Sequence, residues 1–97
     1  MSCDFAYGSL GFYDDSARIT ATSAGTLSLV VEASQRCPKG GIKIVGLSDT
    51  ADDELSRARV SALREYMKLF GVTQYEFVAE PEVPGKMELQ WVGQPAQ

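Results

Sequence analysis

Apolar positions recur along the chain with two periods, and each change of period marks an element. From Gly41 to Gly71 the chain reads GIKIVGLSDTADDELSRARVSALREYMKLFG. Ile42, Ile44 and the Val45-Gly46-Leu47 run are rich in β-branched residues and predict a buried strand near Ile42–Leu47. Leu55, Ala58, Ala62, Leu63, Tyr66, Leu69 and Phe70 then follow at helical spacing and predict a helix near Ala51–Phe70. Gly71, just past the last periodic residue, is the left-handed stop such a helix calls for. The same period carries Ala24, Leu27, Val30, Val31 and Ser34, with Thr20 before them as an N-cap. That predicts a helix near Ala21–Arg36, ended because Pro38 disfavours the α conformation at Cys37.

The alternating period appears three more times. Tyr75, Phe77 and Ala79 oppose Glu76 and Val78, predicting a strand near Gln74–Ala79. Met87, Leu89 and Trp91 oppose Glu88 and Gln90, predicting a strand near Met87–Val92. FAYGSLGF, Phe5–Phe12, is the first strand, weakened by Gly8 and Gly11. Polar or glycine-rich turns separate these segments at Tyr13–Ser16 and Lys39–Gly41, and the PEVPG link is short enough for an antiparallel hairpin. The tail from Gly93 to Gln97 reads as frayed. The order β-α-β-α-β-β predicts an α+β two-layer sandwich: a mixed four-stranded sheet with two helices on one face. Residues 1–97 form a single domain, with one core and little stability to spare.

Composition narrows the chemistry. There is no histidine, which removes the commonest general base and the commonest zinc ligand. Cys3 and Cys37 match no metal-site spacing. Nucleophile-elbow, phosphate-loop and dinucleotide motifs are missing, so the chain is read as non-catalytic, with no metal and no cofactor. Only a hydrolase built on Asp and Glu would remain open as an enzyme. A net charge of −4 with no basic cluster argues against a nucleic-acid partner. No apolar run approaches the roughly 18 residues that span a membrane. The start does not read as a signal peptide, and MSCD is compatible with a chain that has lost one.

The junction between the central strand and its helix concentrates the candidate residues: Ser48, Asp49, Thr50, Asp52 and, further along the helix, Arg59. Asp52, Asp53 and Glu54 sit in the predicted first turn, where the helix dipole favours negative charge. Thr50 can cap this helix, with Asp53 at its third position, and Asp49 can serve as a cap as well. Arg59 can pair with Asp52, Glu54 or Asp49 at the surface. Arg57 and Arg64 read as solvated helix charges, and Tyr13, Tyr75 and Trp91 as core or rim aromatics.

The same junction resembles the OmpA-like C-terminal domain, the peptidoglycan-binding module of the bacterial cell envelope. That family has a strand ending G-H-T-D and a helix carrying N-x-x-L-S-x-x-R-A. Here the strand ends Gly46-Leu47-Ser48-Asp49, and the helix reads Asp52-Asp53-Glu54-Leu55-Ser56-Arg57-Ala58-Arg59-Val60. Ser16-Ala17-Arg18-Ile19-Thr20 is similar to the family's S-A-x-L-T segment, and Arg64-Glu65-Tyr66-Met67 with Gly71-Val72 resembles its helix ending. The resemblance runs from Phe12 to Val72. Leu47, Ser48 and Asp52 stand where the family has His, Thr and Asn. The loop after Asp49 is shorter than usual, and the family's glycine-rich loop and N-R-R-V segment are replaced by PEVPG.

The resemblance implies a strand order of first, fourth, second, third. It also implies a ligand: the diaminopimelate of the peptidoglycan stem peptide, whose free end is a zwitterion. Asp49 would accept from its ammonium, and Arg59 would grip its carboxylate through the planar guanidinium fork. Ser48, Thr50 and Asp52 would join that site. The chain would then be periplasmic, either free or tethered to the outer membrane by the rest of a full-length protein. The alternative is a degenerate scaffold that has lost peptidoglycan binding and holds another envelope protein. A reading from a different class is a cytosolic ferredoxin-like ligand-binding domain with free thiols. An oxidising periplasm would permit a Cys3–Cys37 disulfide, because the first helix returns to the start of the first strand, where Cys3 lies. The alternative is two unrelated thiols.

Overall fold

The computed structural model describes residues 5–37, 40–81, 84 and 86–93, with side chains described for 8–37, 40–81, 84 and 86–90. Its elements are β1 (Phe5–Leu10), α1 (Ala21–Arg36), β2 (Gly40–Val45), α2 (Glu54–Leu69), β3 (Tyr75–Val78) and β4 (Met87–Gly93). They form the α+β arrangement that the order of periods predicts, a mixed four-stranded sheet with two helices.

The sheet order is β1-β4-β2-β3. β4 runs antiparallel to both β1 and β2, while β2 and β3 are parallel. This corrects the hairpin expected from PEVPG. β3 and β4 are not neighbours, because β4 lies between β1 and β2. The physical reason is burial. Leu89 of β4 faces Ile44 of β2 on one side and Gly8 of β1 on the other, and both Leu89 and Ile44 are fully buried. Pairing beside β3 would place this apolar strand at an edge.

One face of the sheet carries Ile42, Ile44 and Leu89, and both helices bury their apolar stripes against it: Leu27, Val30 and Val31 from α1, and Val60, Leu63 and Met67 from α2. Each large side chain fully buried here contributes about 1.5–3 kcal/mol. Tyr75 and Phe77 pack on the margin of this core in an edge-to-face pair. Lys43 and Glu76 project from the other face and lie 3.9 Å apart. Val45 and Gln90, on the two central strands, are buried on that face as well.

The caps explain where the helices start and stop. Thr20 caps α1 by accepting from the Ser23 N–H at 3.2 Å. The Ser23 hydroxyl is buried, accepts from the Gly11 N–H at 2.6 Å and donates to the Ser9 carbonyl, so it stitches the end of β1 to the start of α1. At the end of α2, Val72 N–H reaches the Met67 carbonyl and Gly71 N–H the Lys68 carbonyl, with Gly71 at φ +72°. That bonding is the Schellman pattern a left-handed glycine permits. The start of α2 differs from expectation. Asp53, not Thr50 or Asp49, is the N-cap, and the helix begins at Glu54 instead of Ala51. Asp53 accepts from the Ser56 N–H at 2.8 Å, while residues 48–51 close a separate turn of their own.

β1 stops at Leu10, before the predicted Phe12, which instead makes an isolated bridge to Ile19 across a small hairpin-like loop. Cys37, the C-cap of α1, is buried and disulfide-bonded. Cys3, its expected partner, lies outside the described residues, as do most of PEVPG, the side chain of Trp91 and the tail at 94–97. Among the described residues no helix is long and apolar enough to cross a membrane.

Two glycines give opposite outcomes on substitution. Gly46 follows β2 at φ +91°, and a Cβ there would lie 2.6 Å from the Lys86 carbonyl oxygen. Gly25 lies within α1 with open space around it. Gly46→Ala should lower unfolding stability by about 1–3 kcal/mol, whereas Gly25→Ala should raise it by up to about 1 kcal/mol. Urea unfolding of the two variants beside the parent checks both signs.

Candidate functional site

The end of β2 delivers the chain into the turn Leu47–Thr50, and the structure disposes the sequence-predicted residues around it in two groups. Leu47, which opens this turn, is buried in the core and presents nothing to solvent. The Ser48 hydroxyl accepts from the Thr50 N–H at 3.2 Å and lies 3.0 Å from the Thr50 hydroxyl. These two hydroxyls therefore shape the turn and leave Asp49 projecting at its crest. Asp49 is exposed, and its Oδ2 lies 3.5 Å from Arg64 Nη2. Asp52 is exposed just ahead of the α2 cap.

Arg59 belongs to the second group. Its Nε donates to the Ser16 carbonyl at 2.8 Å, and its Nη2 reaches the Tyr13 carbonyl at 3.5 Å. Its guanidinium carbon sits 4.7 Å from the centroid of the Phe12 ring. The loop it grips is tightly closed: Tyr13 N–H donates to the Arg18 carbonyl, Ser16 N–H to the Tyr13 carbonyl, and Asp15 takes a positive φ of 52°. Nε and Nη2 share one edge of the planar fork, so the loop occupies that edge. The Nη1–Nη2 edge has no partner among the described residues, and no carboxylate there lies within ion-pair distance of Arg59. The surface pairing with Asp49, Asp52 or Glu54 that the sequence suggests is not formed.

Asp49 and Arg59 are thus not joined to each other. Arg64, read from sequence as a solvated charge, is the cation that meets Asp49. The helix geometry gives the reason. Five positions separate Arg59 from Arg64, which turns them about 140° apart around α2. Arg59 faces the loop between β1 and α1, while Arg64 faces β3, with its guanidinium carbon 5.3 Å from the Phe77 centroid and 6.0 Å from that of Tyr75. Both members of the Asp49–Arg64 pair are nearly half exposed, at 44% and 49%, so solvent screens it and it contributes about 0–1 kcal/mol. Sequence could have raised Arg64 only through the length of the turn after Asp49, which decides how far along α2 the carboxylate reaches.

Chemically, the site offers an acceptor held by a weak ion pair and a half-buried guanidinium with one free edge. A carboxylate or another planar anion suits the second. Among the described residues, no group of three His, Cys, Asp or Glu side chains could hold a metal ion. A cleft of about 390 Å³ opens at the other, amino-terminal ends of β2 and β3, lined by Gly40, Gly41, Lys43, Gln74, Tyr75 and Glu76; none of the site residues lines it. No protein-family model matches the chain, and no curated protein is similar to it.

The α2 cap beside the site is itself a titratable carboxyl. The Ser56 hydrogen bonds hold the Asp53 carboxyl below its ordinary value, with desolvation opposing and the Arg57 charge adding a little. A carboxyl lowered in the folded state contributes stability above its unfolded pKa, and that contribution is lost as pH falls through the folded value. Asp53→Ala should therefore shorten α2 at its start at neutral pH, and the stability gap to the parent should close in acid, below the usual carboxylate range. Thermal unfolding of both proteins from pH 7 down to pH 2 checks the sign.

Proposed function

We propose that this chain is a non-catalytic cell-envelope module that binds peptidoglycan through the diaminopimelate of the stem peptide, a divergent and shortened OmpA-like domain working in the periplasm. The observation that carries this reading is Arg59. A half-buried guanidinium is held by the Ser16 and Tyr13 carbonyls and the Phe12 face, with its outer edge unmatched by any carboxylate among the described residues. Such a group is preorganised for an external carboxylate, because its side chain is already ordered before the ligand arrives. In this reading Asp49, exposed in the turn after β2, is the acceptor offered to the ligand's ammonium. No proton has to move, so the arrangement binds and does not catalyse.

The second reading, a degenerate scaffold that engages another envelope protein, is favoured by the Asp49–Arg64 pair and by Leu47, which removes one polar group from the motif. Titration with a diaminopimelate-containing stem peptide, followed by NMR shifts at Asp49 and Arg59, separates the two. Each charge-assisted hydrogen bond contributes about 1.5–3 kcal/mol, so Asp49→Asn should weaken binding about tenfold or more. Arg59→Lys should weaken it at least as much, because an ammonium cannot match the bidentate geometry. Asp49→Asn is the cleaner arm, since Arg59 also holds the loop. Binding by both variants at the parent's affinity would remove the clamp. A parent that retains none of the peptide, and is not pulled down by purified peptidoglycan, would leave the scaffold reading.

A further inference from the structure

Besides the stripe it buries on the sheet, α2 carries a second apolar stripe. Leu55, Ala62 and Leu69 recur every seven residues, with Ala58 and Tyr66 beside them. Seven residues are nearly two helical turns, so these side chains share one side of the helix. Val60, Leu63 and Met67, which pack on the sheet, lie on another. Tyr66 packs in part against the core, and its ring stacks on that of Phe70 with centroids 6.2 Å apart. Leu69 is 77% exposed, and Ala58 is exposed as well. Ala62, Glu65, Tyr66 and Leu69 line an open groove of about 430 Å³. Their spacing, i, i+3, i+4 and i+7, is that of the residues that form a hole for a knob from a facing helix.

We propose that this stripe pairs with the same stripe of a second copy of the chain, α2 against α2, antiparallel and two-fold symmetric. Charge complementarity identifies the occupant. One flank of the stripe carries, in order, Glu54, Arg57, Glu65 and Lys68, all exposed and without an ion pair among the described residues. A two-fold axis across the helix sets this flank against itself in reverse order. Glu54 then faces Lys68 of the second copy and Arg57 faces Glu65, each pair occurring twice. The same register seats Leu55 in the groove and brings Ala58 against Ala62, where small side chains let the helices approach closely. A parallel pairing in register would set every one of these charges against its own kind. An isologous contact requires just such a self-complementary patch. Arg59 keeps its own loop on the opposite flank. One helix per copy makes a contact smaller than a standard interface, so the dimer is reversible, with a Kd on the order of micromolar or weaker. The pairing goes beyond the peptidoglycan reading and does not depend on it.

Sedimentation equilibrium of the whole chain, from about micromolar to about millimolar concentration, tests this. The parent should pass reversibly from monomer to dimer. Leu69→Lys places a charge on the stripe at a position already in solvent, so it should stay monomeric across the same range with an unchanged urea midpoint. Arg57→Glu and Glu65→Arg each set like charges opposite one another twice in a self-pair, and each should weaken association about tenfold. Mixed in equal amounts, these two variants should associate as tightly as the parent, because each supplies the charge that the other has lost. A parent that remains monomeric throughout overturns the self-pairing and leaves the stripe to a different partner. A Leu69→Lys chain that dimerises as the parent does puts the contact on another face and overturns it too. A mixture that associates no better than its two components overturns the antiparallel register.

Discussion

Insertion of the last strand into the centre of the sheet is the constraint on which the rest of this structure depends. β4 supplies a partner to both β1 and β2, and its Leu89 is fully buried between them. Without β4 the first strand has no neighbour, and the parallel pair β2–β3 has an open inner edge. The two helices could not then cover one continuous apolar face. The layout is therefore non-local: its central hydrogen bonds join segments from opposite ends of the chain, which makes ordering costly until the whole sheet closes. Gly46 reflects this closeness, since the carbonyl of Lys86, just ahead of β4, approaches it too tightly for any side chain.

The same closure positions the site. The end of β2 determines where the Leu47–Thr50 turn emerges, and Leu47 anchors that turn from below by packing into the core. The hydroxyls of Ser48 and Thr50 then hold its shape, and Asp49 is left at the surface. On the other side, the stitch between Ser23, Gly11 and Ser9 ties the end of β1 to α1, and the loop between them presents two carbonyls to Arg59. Arg59 thus serves the fold and, in the proposed function, the ligand, using different edges of one guanidinium. This dual use has a physical consequence. A planar group with several donors can be ordered by the protein and still recognise an anion, whereas a lysine ammonium would offer neither the two-edged geometry nor the stacking on Phe12.

The division of the two arginines around α2 decides the electrostatic character of the region. Arg59 has carbonyls and an aromatic face but no carboxylate among the described residues. Arg64 has a carboxylate and two aromatic faces. A half-buried charge satisfied only by dipoles retains affinity for a counter-ion, while a screened surface pair exchanges its partner readily. The region is therefore unsaturated at one cation and self-saturated at the acid.

Much of this architecture is local and was legible without coordinates. The switch from a period of two to a period of 3.6, Thr20 ahead of α1, and Gly71 after α2 all act within about one helical turn, so neighbouring residues alone determine them. The order of elements and the α+β class follow from those periods. The start of α2 was less legible because Asp49, Thr50 and Asp53 are all competent caps, and only the separate turn closed by Ser48 and Thr50 gave the position to Asp53. The contacts that matter most for the candidate site lay beyond such reasoning. Arg59 finds carbonyls more than 40 residues away in sequence, and Asp49 finds Arg64 instead of Arg59. Residue type told which charges were present. Which charge met which partner was decided by the length of one turn and the rotation of one helix against the sheet, because electrostatic partners are chosen by distance in space.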